Sequence, residues 1–325
     1  TTIDPNVGVV PVPDERLDHI AAIIVPERVV PATLRVVDIA GLVKGASQGE
    51  GLGNQFLSHI RGVDAIAMVV RCFEDENVAH VTPQLDPIAD MGTIELELVL
   101  SDLELMERFA ERLRTRSKGH PKEFEDELAA TEAVMDDLRR GTLVRQMDLD
   151  EARRAVVAQV DLLTGKPLVY VANVGEGDLP EGGRLGALVA RRAHEQGAAV
   201  EVLCAGLEAE LVTWEVAEAM AYRSDLGIPD TGLVRFVHTG YRLLDLITFF
   251  TTTGGKEVRA WTLVRGQTAI QAAAAIHTDL ARGFIRAEVV AHDDLVAAGS
   301  VVAARETGHW RIEGRDYVVQ DGDVV

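Results

Sequence analysis

The sequence predicts an α/β protein: a doubly wound sheet, interrupted by an antiparallel helical hairpin and followed by a small β-grasp domain. Three observations carry that expectation. Short apolar runs alternate with helix-period segments over residues 1–92 and again over 160–243, as strands and helices do in a layered α/β domain. Two long heptad-like seams, joined by a Gly/Pro breaker, lie between them. Residues 244–325 read as short strands around one Ala-rich helix.

Taken in order, Val7 to Val12 alternates like an edge strand, and Asp14 to Ile24 has helical spacing at Leu17, Ile20 and Ile23 or Ile24. Leu34 to Val37 reads as a core strand that delivers Asp38 to a glycine-rich segment, DIAGLVKGASQGEGLGNQF. Asp38 and Gly41 form D-x-x-G. In nucleotide hydrolases that carboxylate holds Mg²⁺, usually through water, and the glycine lets a backbone N–H approach a terminal phosphate. Alone, the motif reads equally as a Gly-rich loop after a core strand. Asn54 to Ile60 predicts a helix with Phe56, Leu57 and Ile60 on one face. Ala65 to Val70, leading into Arg71 and Cys72, predicts a parallel strand buried on both faces.

From Thr93 the pattern changes. Leu96, Val99, Leu103, Met106, Ala110 and Leu113 form one seam. After Lys118-Gly119-His120-Pro121, a second seam runs through Phe124, Leu128, Thr131, Met135 and Leu138. An inserted antiparallel hairpin over 93–159 follows. Between Arg108 and Lys122, six basic residues stand against Glu111 alone. That excess is either a solvated helix end or a docking tip for RNA or an acidic partner.

Alternation resumes with a strand at Pro167 to Asn173, a helix at Arg184 to Gln196, a strand at Ala199 to Cys204 and helices over Leu207 to Ala221. Ligands in open α/β sheets lie beyond the carboxyl ends of the strands. Asp38, Arg71, Asn173 and Cys204 are therefore expected to converge. In the last domain, Glu257 to Val264, Ile285 to Val290, Trp310 to Glu313 and Tyr317 to Val319 read as strands, and Thr268 to Ile276 as the helix.

The balance of 32 basic and 52 acidic residues, net −20, argues against broad nucleic-acid binding and against sequence-specific DNA recognition. Apolar runs are strand-length, so neither a membrane span nor a signal peptide is expected. Cys72 and Cys204 lie far apart beside apolar runs and suit free thiols in a reducing cytoplasm.

Several stretches together resemble the YchF family, the Obg-like ATPases. They are TIDPN at Thr2, DIAGLVKGASQGEGLGN at Asp38, RCFED at Arg71, YVANVGE at Tyr170, KEVRAWT at Lys256, IHTDLARGFIRAEV at Ile276 and RIEGRDYVVQDGDV at Arg311. The resemblance implies a P-loop NTPase-type domain split over 1–92 and 160–243, a coiled-coil insertion at 93–159 and a TGS domain at 244–325. It also implies hydrolysis of ATP with Mg²⁺, and association with the ribosome or its RNA through the basic tip and the TGS domain. The family's G-x-x-x-x-G-K-[ST] loop lies upstream of its TIDPN-like segment, and no such motif occurs in these 325 residues. The expectation is a longer protein in which that loop precedes Thr1 and a final strand follows Val325.

Carried over residue by residue, Thr2 matches the switch threonine that joins Asp38 at Mg²⁺. Gly41 matches the phosphate-sensing glycine. Leu42 stands where Ras-like hydrolases place a water-orienting Gln, so that task must fall elsewhere; the resemblance implies His80, on the loop after RCF, as the catalytic candidate, and it reads otherwise as a surface histidine. Asn173, the Val174 backbone and Glu176 replace the guanine-reading [NT]-K-x-D, and Cys204, Ala205 and Gly206 match the loop closing over the base. Guanine loses its bidentate reader, at about 1–3 kcal/mol per unpaired donor; adenine loses less. A GTPase of the Obg class, or a binding scaffold acting through hairpin and TGS domain, are the alternatives.

Overall fold

The computed structural model describes residues 6–39, 52–74 and 85–325, with backbone alone at 52–55 and 253. Thr2, Gly41, Leu42 and His80 lie outside the described residues. The chain begins with β1 (Asn6–Pro11), α1 (Glu15–Ile24), β2 (Arg28–Val30), β3 (Thr33–Asp38), α2 (Leu52–Arg61) and β4 (Ile66–Cys72). Then come α3 (Pro87–Ser117), α4 (Glu125–Arg139), α5 (Glu151–Val157), β5 (Leu168–Val174), α6 (Gly183–Glu195), β6 (Ala199–Leu203), α7 (Ala205–Leu211), α8 (Val216–Asp225) and α9 (Gly232–Leu243). The last stretch holds β7 (Leu246–Thr253), β8 (Glu257–Val264), α10 (Ala269–Ile276), α11 (Thr278–Arg282), β9 (Ala287–Ala291), α12 (His292–Ala298), α13 (Val301–Glu306), β10 (Arg311–Glu313) and β11 (Asp323–Val324). Two compact units result, one carrying Val37–Thr239, the other Val7–Val36 with Gly240–Val325.

In the first unit β4, β5 and β6 form a parallel sheet in that order. Leu168–Val174 is rich in β-branched residues and buried along nearly its whole length, which suits the central strand. Met68, Val70 and Cys72 of β4 join Tyr170, Ala172 and Val174 of β5 against Met91 of α3 and Val189 and Ala193 of α6. The expected two-faced burial of β4 does not hold: Val69 is 67% exposed and Ala67 is exposed too. Among the described residues the strand has one neighbour, β5, and helices α3 and α6 pack on the face of Met68, Val70 and Cys72.

The hairpin starts earlier than its heptads suggest. Pro87 supplies the preset first turn, and the Asp86 carboxylate accepts from the N–H groups of Ile88 (3.1 Å) and Ala89 (3.0 Å). Helix α4 returns antiparallel, since Arg114 pairs with Glu132 while Arg139 lies 4.0 Å from Glu107. Val99, Met106 and Ala110 pack on Ala130, Val134, Met135 and Leu138. Leu96, expected in the seam, is 54% exposed. The first turns of α3 belong to the sheet unit instead, and Leu98 is buried there with Leu57, Ile60 and Leu163. At Glu95 a polar cluster ties α3 to β5 and α6: the Tyr170 hydroxyl lies 2.5 Å from Glu95 and from Gln196, and Arg192 pairs with Glu95 at 3.1 Å. Burial pushes the Tyr170 phenol up from its ordinary range, with the Glu95 carboxylate adding to it.

The second unit is a six-stranded sheet in the order β10-β9-β11-β7-β8-β2. Strand β7, unforeseen in the sequence, pairs antiparallel with β8 over eight residues, Leu246↔Val264 to Thr253↔Glu257. Its consecutive Phe249 and Phe250 are both fully buried. Phe249 packs with Leu263, Ala269 and Ala272 beneath α10, and Phe250 lies under the Arg16 guanidinium of α1, 5.5 Å from ring centre. Helix α10 opens with a capping box between Thr268 and Gln271. Strand β11 slots between β7, parallel, and β9, antiparallel. Tyr317 to Val319 contributes only the bridge Thr268↔Val318 rather than a strand.

Candidate nucleotide site

The parallel register sets Arg71 opposite Asn173, and Asn173 opposite Leu203. The carboxyl ends of β4, β5 and β6 are therefore side by side, which brings Arg71, Asn173 and Cys204 to one edge as expected. Asp38 ends β3, which pairs with β1 in a separate two-stranded sheet. Its exposed carboxylate suits water-mediated contact with Mg²⁺. No group of three His, Cys, Asp or Glu side chains among the described residues is placed to hold a metal by itself.

The Asn173 amide stitches two loops together. Its Oδ1 accepts from the backbone N–H of Ala205 at 2.9 Å, at the start of α7. With that oxygen engaged, the amide's NH₂ group is its remaining donor. Such a donor fits N7 of a purine, an acceptor that adenine and guanine share. Val174 is buried and pairs with Cys72, so its contribution to a ligand is backbone. After Gly175 the chain makes a short 3₁₀ turn, Glu176–Asp178. Gly183 is required where this turn meets α6: it has φ of 59°, and a Cβ there would lie 2.1 Å from Asp178 Oδ1.

Glu176 carries the acidic side chain of this edge, and one of its oxygens accepts from the Tyr222 hydroxyl of α8. That hydrogen bond, with the carboxylate's charge, holds the Tyr222 phenol above its ordinary range. Trp214 lies against the tyrosine, ring centres 5.4 Å apart and tilted by 51°. Leu207, Leu211 and Ala219 form the cluster below, with Cys204 and Tyr222 partly buried against it. Nothing local in the sequence ties Tyr222 to Glu176, 46 residues earlier. Glu208 braces the same region, accepting from the Gly232 N–H at 2.8 Å and pairing with buried Arg223 at 3.4 Å. Arg71 folds back on its own loop, donating to the Phe73 carbonyl at 3.0 Å with its guanidinium over the Phe73 ring.

Burial pushes the Cys72 thiol up to about 11, with Asp178 and Asp90 adding to it. It is 1% exposed, whereas Cys204 is half-buried, and both are free.

Comparison with known proteins supplies the wider context. Residues 246–325 match the family model YchF-GTPase_C, described as a protein of unknown function, and residues 1–101 match MMR_HSR1, described as a 50S ribosome-binding GTPase. Proteins named ribosome-binding ATPase YchF are 48% identical in Pasteurella multocida, over 324 residues, and 45% identical in Bacillus subtilis, over 326. Each alignment covers 100% of this chain and 89% of the relative. The solved structure of the Schizosaccharomyces pombe YchF GTPase superimposes with a TM-score of 0.87 at 36% identity, covering 100% of this chain and 88% of that one. Identity of this extent, over the whole chain, places it in the YchF family.

Proposed function

We propose that this chain is a Mg²⁺-dependent nucleoside triphosphatase that prefers ATP to GTP and acts as a ribosome-associated switch in the cytoplasm. The observation that carries the base preference is the engagement of Glu176 by Tyr222 beside Asn173, with Val174 where a guanine site has Lys. The bacterial relatives' name, ribosome-binding ATPase, supports the activity and the partner. Asn173, the Val174 backbone, Glu176 and the Cys204-Ala205-Gly206 loop hold the base; Asp38 and Thr2 hold Mg²⁺, with Gly41 sensing the terminal phosphate. When bound, Mg²⁺ neutralises charge between the phosphates. Leu42 has no hydrogen-bonding group, so His80 orients the attacking water. The proposed domains are the split nucleotide-binding domain at 1–92 and 160–243, of which Val7–Val36 cluster with Gly240–Val325, the hairpin insertion at 93–159 and the TGS domain at 244–325, the last two docking on the ribosome. Among the described residues no helix is long and apolar enough to cross a membrane.

Competition of ATP and GTP for the full-length protein tests the reading. ATP bound more tightly is expected, and GTP favoured tenfold would overturn it. The solved Schizosaccharomyces pombe relative is named a GTPase, which favours that second reading, and the same titration separates the two. A His80→Ala variant is expected to lose turnover while keeping nucleotide affinity.

A further inference from the structure

We propose that Tyr222 is a positioning residue for purine selectivity, holding one carboxylate oxygen of Glu176 so that the carboxylate is kept from turning both oxygens onto a guanine edge. The inference rests on the base site proposed above. Guanine-specific sites use both oxygens of an acid, one for the N1–H and one for the 2-amino group. Here Glu176 Oε1 already accepts from the Tyr222 hydroxyl, which fixes the carboxylate's orientation and makes Oε1 a weaker acceptor for a second donor, so guanine does not meet two equivalent, freely oriented oxygens. The other oxygen, Oε2, then faces the base as the stronger acceptor, which suits a single donor such as the exocyclic amino group of adenine.

The tyrosine is placed to impose this restraint. It sits on α8, its ring lies against Trp214, and it is partly buried in the cluster that includes Cys204 of the base-closing loop. Tyr222 thus joins the two loops expected to enclose the base, one at the end of β5 and one at the end of β6. Because the neighbouring carboxylate raises the phenol's pKa, the hydroxyl keeps its proton and remains a donor. Selectivity therefore arises from a side chain outside the β5 motif, supplied by a helix later in the chain.

The test is the ratio of ATP to GTP affinity in the full-length protein with Mg²⁺, measured for wild type, Tyr222→Phe, Glu176→Ala and the double variant. Tyr222→Phe removes only the hydroxyl and keeps the ring against Trp214, so the fold is preserved. It frees Oε1, and the ATP:GTP ratio is expected to fall about three- to tenfold, the scale of one hydrogen bond. In the Glu176→Ala background the same substitution is expected to leave the ratio unchanged, a coupling that a merely structural tyrosine would not produce. An unaltered ratio for Tyr222→Phe, or an equal fall without Glu176, would overturn the proposal. Wild type that prefers GTP, with Tyr222→Phe raising that preference, would reject the ATP reading and retain the role of Tyr222. If wild type prefers GTP and the ratio does not move, both fail.

Discussion

Asp102 and Thr164, 62 residues apart, are joined twice: the carboxylate accepts from the threonine N–H at 2.8 Å and from its hydroxyl at 2.7 Å. The other carboxylate oxygen accepts from the Leu163 N–H at 2.7 Å. Thr164 in turn accepts from the Val144 N–H at 3.1 Å. One buried acid on α3 thereby fastens the chain where it leaves the hairpin after α4 and where it enters β5. Burial pushes the Asp102 carboxyl up, and the donors from Thr164 and Leu163 oppose that. Asp102→Ala strands three buried donors, so a loss of about 3 kcal/mol or more is expected in urea unfolding. Thr164→Val, which removes the donor to Asp102 and strands the Val144 N–H, is expected to cost about 2 kcal/mol. The two losses should fall well short of additive, and full additivity would break the link between the residues.

Cys72 gives a pH dependence with a definite sign. Its thiol is raised in the folded state to about 11 from an ordinary value of 9.0. A group whose folded pKa is raised contributes stability that is present below the unfolded pKa and lost as pH climbs through the folded one. Thermal stability of wild type should therefore fall between pH 9.0 and about 11 more steeply than that of Cys72→Ala. Parallel curves would refute the assignment. In the native protein at neutral pH a disulfide reagent should modify half-buried Cys204 and spare Cys72 until unfolding.

The strands at the site were legible because each is a short apolar run ending in a polar residue, and β5 with its Asn173 is the clearest case. Strand β7 was not, because Phe249 and Phe250 are buried on opposite faces and erase the alternation that marks a half-buried strand. The seam at Leu96 failed for a related reason: an α-helix drifts from a heptad repeat, and the first turns of α3 pack on a different partner. The link from Tyr222 to Glu176 has no local signature, since tertiary packing alone brings α8 to the loop after β5.

Beneath α10 lies an apolar cavity of about 40 Å³, lined by Phe249, Ala272, Ala273, Ile276, Ala287 and Val289 among others. Small residues on both sides leave that space. Ala287 stands on β9, where a β-branched side chain suits the backbone. Ala287→Val adds two methyl-sized groups to the void, and a gain of about 1 kcal/mol is expected. A lowered melting temperature would mean that the cavity closes too tightly to accept them.

The hairpin tip is less basic when folded than along its first helix. Helix α4 returns with Glu123, Glu125, Asp126 and Glu127 near its start, so over 108–128 six basic residues stand against five acidic ones. Three of the cations are committed within the hairpin, Arg108 to Glu104 at 3.5 Å, Arg114 to Glu132 and Arg116 over the Phe124 ring. Arg112, Lys118 and Lys122 are exposed and are the better probes of docking. Reversing these three to Glu is expected to weaken co-sedimentation with ribosomes about tenfold or more at low salt, and less as salt rises. Exposed charges contribute about 1 kcal/mol or less to stability, so the melting temperature should stay within a few degrees of wild type. Binding that survives the triple reversal at low salt would move the docking surface away from the tip.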